Sequence, residues 1–336
     1  MDILIKSYYR PHLLDRCLRS IYENVVDVNG IQITVLDDGT PQKYLDKIKE
    51  KYPQVKFRFS KYREEKIIKL QEHLEGKKNY HDVRIPTDLW YDAIADSSDI
   101  LIMTEDDVWF VDKYDMKFYS EEMNKYGIQI LKLGRDITET KNFSLTETIA
   151  YHNPKYIIKS HKLYNILLNN SYDIRNKLTK LNLLPKYWRN ELWKMYDIPM
   201  AMMRKNYLLY IWKDKYKRVV EDLQLANAVG WDLQTKGKTK YTLLKDRAMD
   251  FTARSSASFN SFNIEEDFDL IRFNYILNEL WYNEEFNEYE NYPNDFSIDY
   301  IYNILLEKEN IQFADKWKKW TEGLEQMRFD LRLDNI

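Results

Sequence analysis

Three places in the sequence carry acidic residues in patterns that could do chemistry. Residues 98–110 read SDILIMTEDDVWF, in which a greasy run at 100–104 enters Glu105, Asp106 and Asp107 without a break. Ionised carboxylates resist burial, because an unpaired charge out of water is costly. A buried strand that ends in three of them has reached either solvent or a cation, and hard divalent cations favour carboxylate oxygens. Asp37-Asp38-Gly39 closes another apolar run, 31–36. Carboxylates there could accept hydrogen bonds from a ligand, and Asp-Gly is equally a strong turn signal. Glu221-Asp222 opens an apolar helical pattern. A carboxylate there could take a proton. Acids in a first helical turn are also favoured by the helix dipole alone, by ~0.3–1 kcal/mol each.

The surrounding elements decide whether these acids meet. Residues 3–5 read as a strand, followed by the turn KSYYRPH and a helix with Leu13, Leu14, Cys17, Leu18 and Ile21 on one face. A strand at 31–36 follows, and Thr40-Pro41 predicts a helix opened by a threonine cap and a first-turn proline. A strand at 55–60, a helix at 66–75, a helix after Pro86-Thr87-Asp88 and the strand 100–104 complete a β-α-β-α-β order. That order predicts an α/β fold, a mostly parallel sheet flanked by helices on both faces. Ligands bind such sheets beyond the carboxyl ends of the strands, so Asp37-Asp38 and the triplet should share one edge. Further along, strands are expected at 129–133 and 148–151, a turn at His152-Asn153-Pro154, and helices at 163–168 and from 221. Past Arg254 the pattern becomes helical and aromatic, at 268–282, 297–308 and 313–332. This predicts a main domain over 1–254 and a C-terminal helical appendage over 255–336.

Composition narrows the classes. The chain has 336 residues, 44% hydrophobic and 31% charged, as expected of a globular protein with a substantial core. With 51 basic and 54 acidic residues and a net charge of −3, no nucleic-acid footprint is evident. No apolar run reaches the ~18–20 residues of a membrane helix, and MDILIKSYYRPHLL does not read as a secretory signal. The single cysteine, Cys17, fits a reducing cytoplasm and, on an apolar helix face, a small core residue. An aromatic content of 15% leaves peripheral contact with the inner face of a membrane open. The five histidines show no zinc-ligand spacing.

DILIKSYYRPHLLDRCLRSI, ITVLDDGT, ILIMTEDDVWF and VVEDLQLA together resemble successive landmarks of GT-A (Rossmann-like) glycosyltransferases, close to the family 2 type, over residues 1 to about 230. The resemblance implies a nucleotide-sugar donor, a UDP-sugar first among them. Glu105-Asp106-Asp107 stands where the family carries its DxD element. Asp107 would ligate Mn²⁺ or Mg²⁺, and Glu105 or Asp106 would reach the metal through water or touch the ribose. Asp37 and Asp38 stand at the acidic element that holds base or ribose, with Ser7, Tyr8 and Arg10 beside it. Asp88 stands loosely where relatives carry a polar residue facing the nucleotide. Asp222, with Glu221 second, stands at the catalytic base of inverting members. The implied acceptor is a glycan or lipid-linked glycan of surface polysaccharide synthesis.

One departure is visible. No histidine follows Asp222, so a metal would lean on the triplet and the diphosphate, unless Lys240, Lys245, Arg247 or Arg254 supplies a cation. The segment 187–218 interleaves aromatics with Lys and Arg, which suits sugar stacking, lipid headgroups or a buried helix pair. Two other classes remain: a sugar-nucleotide nucleotidyltransferase, which would want a glycine-rich loop where KSYYRPH has none, and an inactive GT-A-shaped binding module.

Overall fold

The structure, a computed structural model, describes residues 1–82, 84–134, 144–145, 149–151, 160–184, 188, 190–196, 199–214, 221–244, 247–255 and 268–333. The turn expected at 152–154, Lys245 and parts of 187–218 lie outside the described residues.

The chain opens with β1 (Asp2–Ser7), α1 (Pro11–Asn24), β2 (Gln32–Asp37), α2 (Gln42–Lys51), β3 (Lys56–Phe59), α3 (Arg63–Leu74), α4 (Thr87–Asp96) and β4 (Ile100–Glu105). Their alternation was legible because each strand is a short apolar run and each helix carries one apolar face. Pro11 starts α1, where its missing N–H costs nothing. Thr40 does not cap α2 as expected: Pro41 takes that position, and the Thr40 hydroxyl accepts from the Tyr9 amide at 3.0 Å. A tertiary hydrogen bond has displaced a local one.

Next come β5 (Val108–Phe110), α5 (Met116–Tyr126), β6 (Ile128–Lys132), β7 (Ser144–Leu145), β8 (Ile149–Tyr151), α6 (His161–Leu168) and α7 (Ile174–Lys180). Then follow β9 (Ala201–Arg204), α8 (Lys205–Ile211), α9 (Glu221–Gln234), β10 (Lys240–Leu244) and β11 (Met249–Phe251). Three helices close the chain: α10 (Leu270–Tyr282), α11 (Ile298–Lys308) and α12 (Ile311–Leu333).

Nine strands form one sheet in the order β3-β2-β1-β4-β9-β6-β10-β8-β7. Pairing is parallel from β3 through β4 and between β6 and β10, and antiparallel wherever β9 or β8 takes part. Only β9 and β8 therefore oppose the common direction, which is the mostly parallel sheet expected. Separately, β11 pairs antiparallel with β5 just beyond the triplet.

Both faces are covered, so alternate residues of one strand enter different cores. Ile3, Ile5, Ile100 and Ile102 join α1, α10 and α12 on one face. Leu4, Leu101 and Met103 join α4, α6, α8 and α9 on the other. Of the aromatics described in 187–218, Trp188, Tyr196, Tyr207 and Trp212 are buried in this second core. Packing, more than sugar stacking, accounts for them.

The C-terminal helices share the first core with the sheet. Arg16 of α1 is fully buried and donates to the carbonyls of Glu288 (3.0 Å), Glu290 (3.2 Å) and Asn294, its guanidinium 4.2 Å from the Trp109 ring centre. Trp281 Nε1 donates to Asp15 at 2.7 Å. Each bond satisfies a polar group that burial would otherwise penalise.

Candidate active site

The carboxyl ends of β1, β2 and β4 lie side by side, because Ser7 pairs with Asp37 and Lys6 with Glu105. Most of the expected site residues meet here. Lys6 is joined to Glu105 by an ion pair. Asp106 is buried and accepts from Ser7 Oγ at 3.0 Å, from the Tyr8 amide at 3.1 Å and from Arg10 Nη2 at 2.5 Å. Arg10 Nη1 donates to Asp107 at 2.9 Å and to the Ser255 carbonyl at 2.8 Å. The turn after β1 is thus built around the acids that end β4. The opening alternative, solvent or cation, has a specific answer: the cations present are the chain's own Lys6 and Arg10.

Electrostatics follow from that pairing. Burial raises the carboxyls of Asp106 and Asp107 above their usual range, against the pull of Arg10. Burial would also raise Glu105, but Lys6 overrides it and leaves that carboxyl lower than usual.

At the end of β2 the two aspartates differ. Asp37 is fully buried, accepts from the amides of Gly39 (3.2 Å) and Thr40 (3.1 Å), and meets Arg63 Nε at 3.3 Å. Burial lifts its carboxyl to about 6. Its oxygens are spent on its own turn, so the turn role weighed for Asp-Gly falls to Asp37, and the ligand contact implied for it has no open atom. Asp38 accepts from Lys66 at 2.5 Å, while its Oδ1 is buried without a hydrogen bond. Gly39 sits at φ +150°, where a Cβ would stand 2.9 Å from the Tyr8 ring. That close approach puts the Tyr8 ring against the Asp38 turn, and the Tyr8 hydroxyl donates to Tyr80 at 2.5 Å.

Asp88, in the first turn of α4, pairs with Lys61 at 2.7 Å and joins none of these bonds. Asp222 approaches from the other face. Lys205 starts α8 at the opposite edge of the sheet, its amide donating to the Asp99 carbonyl at 2.8 Å. Tyr207 then stacks edge-on with Trp231 at 5.4 Å, and Asn227 donates to the Ile211 carbonyl at 2.9 Å. As α8 climbs from 207 to 211, its partners on α9 fall from 231 to 227, so the two helices are antiparallel. The start of α9 therefore points to the edge that carries the triplet, with Asp222 about 7–8 Å beyond Asn227 along the helix. At that level Trp212 meets Trp90 at 5.4 Å, and Lys6 Nζ lies 4.8 Å from the Trp90 ring. Arg175 of α7 stands 3.9 Å from the Asp222 carboxylate. Glu221 is the first residue of α9, and its side chain is outside the described residues.

Of the later cations, Arg247 pairs with Asp250 at 2.6 Å. Arg254 is buried and committed to the C-terminal helices, donating to the Phe296 carbonyl (3.0 Å) and Thr321 (2.9 Å) and pairing with Glu325 (2.6 Å). Neither stands as a ready diphosphate cation.

Whether the triplet suits a divalent metal turns on uncommitted oxygens. Among the described residues no three His, Cys, Asp or Glu side chains form a group that could hold one alone. Mg²⁺, however, is usually held by one or two carboxylates with substrate phosphates completing its shell. Asp107 has only one oxygen on Arg10, and Glu105 is about a third exposed. The residues fit a cation that arrives with a phosphorylated ligand.

No known family profile matches the sequence, and no curated protein matches it. Among solved structures the chain is similar to Staphylococcus aureus TarS residues 1–349, with 10% identity, 97% of this chain and 91% of that one covered, and a TM-score of 0.41. It is also similar to the Pyrobaculum calidifontis mannosyltransferase PcManGT, in complex with GDP-mannose and Mn²⁺ (9% identity, 98% and 73% covered, TM-score 0.41). A third is the galactosyltransferase LgtC, with donor and acceptor sugar analogues (10% identity, 78% and 92% covered, TM-score 0.37). The site is defined by the chain's own geometry.

Proposed function

We propose that the chain is an inverting glycosyltransferase that uses a nucleotide-sugar, most simply a UDP-sugar, and acts on a glycan or lipid-linked glycan acceptor. The observation that supports this best is the carboxyl-end cluster, in which the Ser7–Arg10 turn is locked to Asp106 and Asp107 beside an Asp38 whose Oδ1 is buried without a hydrogen bond. A buried lone acceptor is costly unless a ligand donor completes it. A ribose hydroxyl or a base N–H would do so, and the Tyr8 ring would form the adjoining wall.

In this reading Asp107 and Glu105 would hold Mn²⁺ or Mg²⁺ with the donor, supplying charge neutralisation for the leaving diphosphate. Asp106 positions the turn through Ser7 and the Tyr8 amide. Asp222 takes the proton from the acceptor hydroxyl as it attacks the anomeric carbon.

The acceptor side suits a lipid-linked substrate. Tyr172, Leu181 and Leu183 are 88%, 67% and 65% exposed around α7, among Arg175, Lys177 and Lys180. Exposed apolar groups ringed by cations favour an anionic membrane surface. No described helix is long and apolar enough to cross a membrane.

The nucleotidyltransferase alternative is disfavoured by the turn after β1, where Tyr9 takes a positive φ of 55° and no glycine frees the backbone for a phosphate loop. A thermal-shift and turnover screen over UDP-, GDP-, CMP- and dTDP-sugars, with and without Mn²⁺, tests the proposal. Stabilisation by one nucleotide class with release of its diphosphate is expected. Binding without turnover on any acceptor would leave an inactive binding module.

A further inference from the structure

We propose that Asn278, on the C-terminal helix α10, is a positioning residue of the donor site, holding the turn after β1 so that Arg10 meets Asp106 and Asp107. This rests on the donor-site reading above and gives the C-terminal helices a part in it.

Tyr9 lies in the left-handed region, which is unfavourable for a bulky residue and persists only where the surroundings impose it. Two hydrogen bonds impose it here. The Tyr9 amide donates to Thr40 Oγ1 at 3.0 Å, and its carbonyl accepts from Asn278 Nδ2 at 3.0 Å. Asn278 is fully buried, and its Oδ1 faces His12 Nδ1 at 2.7 Å. Since a carbonyl can only accept, the bond to Tyr9 fixes which way the amide points. The next residue in the chain is Arg10.

The same helix reaches Arg10 by a second route. Asn274 lies four residues earlier, on the same face as Asn278. It accepts from Ser255 Oγ at 2.8 Å, and the Ser255 carbonyl accepts from Arg10 Nη1 at 2.8 Å. Nearby, the Thr252 amide donates to the Asp107 carbonyl at 3.0 Å, while Asp295 takes the Thr252 hydroxyl (2.8 Å) and the Ala253 amide (2.7 Å). One helix thus grips Arg10 from before, through Tyr9, and from beside, through Ser255. A pair of asparagines that merely satisfied buried polar groups would support the core equally well without setting the turn.

The test replaces Asn278 by leucine, which has the same branched four-atom side-chain skeleton and can make neither bond. The full chain is titrated calorimetrically with UDP and GDP in Mn²⁺, and amide exchange is followed on the ligand-free protein. Expected for Asn278→Leu are nucleotide binding weakened about tenfold or more, and faster exchange in peptides covering 7–10 and 105–108 but not 33–36. Leu305→Ala, a buried change on α11 that removes none of these hydrogen bonds, should lower the melting temperature yet leave affinity and both peptides as in the wild type. Unchanged exchange at 7–10 in Asn278→Leu, or equal losses in Leu305→Ala, overturns the proposal. If the wild type binds neither nucleotide, the exchange comparison still decides it, and the calorimetry counts against the function instead.

Discussion

His12 offers a direct measurement of how tightly the C-terminal helices are joined to the sheet. It is fully buried in α1, with its ring edge-on to Phe286 at 5.6 Å and its Nε2 without a hydrogen bond. Because Asn278 presents its oxygen, His12 Nδ1 must carry the hydrogen. Burial lowers its pKa from 6.5 to about 3. A depressed value means that the folded state refuses a proton the unfolded chain accepts. The contribution to stability is therefore whole above about pH 6.5 and lost as the pH falls towards 3. One proton is worth about 1.4 kcal/mol per pH unit, so the full window amounts to roughly 4–5 kcal/mol at most. That is a large share of the ~5–15 kcal/mol of a typical domain. His12→Asn keeps a donor near the position of Nδ1 and removes the titration. Urea unfolding of both proteins between about pH 6.5 and 4.5 should show the wild type losing about 2–3 kcal/mol more than the variant. Asp37 titrates in the same window with opposite sign, its raised pKa making it stabilising below about 4 and less so above 6, but it is common to both proteins and cancels in the difference. Parallel curves would refute the burial argument for His12.

Asp222→Asn should reduce sugar transfer by about 10²–10⁴-fold while leaving calorimetric nucleotide affinity within about threefold. Asp107→Asn should weaken nucleotide binding in Mn²⁺ much more than in chelator, measured by the same titrations. Leu181→Ser with Leu183→Ser should reduce co-sedimentation with anionic vesicles of phosphatidylglycerol, with soluble-acceptor turnover unchanged; equal sedimentation would remove the membrane reading of α7. Gly39→Ala drives a Cβ against the Tyr8 ring and Lys66 Cβ at an unfavourable φ, and should cost about 1–3 kcal/mol in denaturant unfolding.

What could be read from the sequence was local. Runs such as ILIM and ITVL announce buried strands, and their order fixes the parallel core and the edge on which the acids gather. The elements that escaped were those whose signals compete. β9 lies inside an aromatic and cationic stretch, and its AMMR carries no alternation because it runs between β4 and β6 with Met202 in one core and Ala201 and Met203 in the other. β5 and β11 are three residues each, too short for periodicity. At the site, the types of residue were readable and their commitments were not. Nothing in DDG says that Asp37 will turn inward while Asp38 keeps an open oxygen. Lys6 and Lys66 gave no separate signal, since a lysine beside a strand or in a helix's first turn is ordinary, and only the fold sets them against Glu105 and Asp38. Asn274 and Asn278 were invisible for the same reason.

The bond from Asn278 to Tyr9 joins residues 269 positions apart, and Arg16 reaches Asn294 across 278. During synthesis at about 5–20 residues per second, the turn after β1 would wait roughly 15–50 s for its partner to emerge. Until then Tyr9 has no reason to hold its left-handed backbone, and a buried cation such as Arg16 has no carbonyls to face. A nascent chain stopped short of α10 would carry its acidic triplet beside an unformed turn. The turn that frames Asp106 and Asp107 would then settle only once α10 has emerged, however early β1 and β4 had paired.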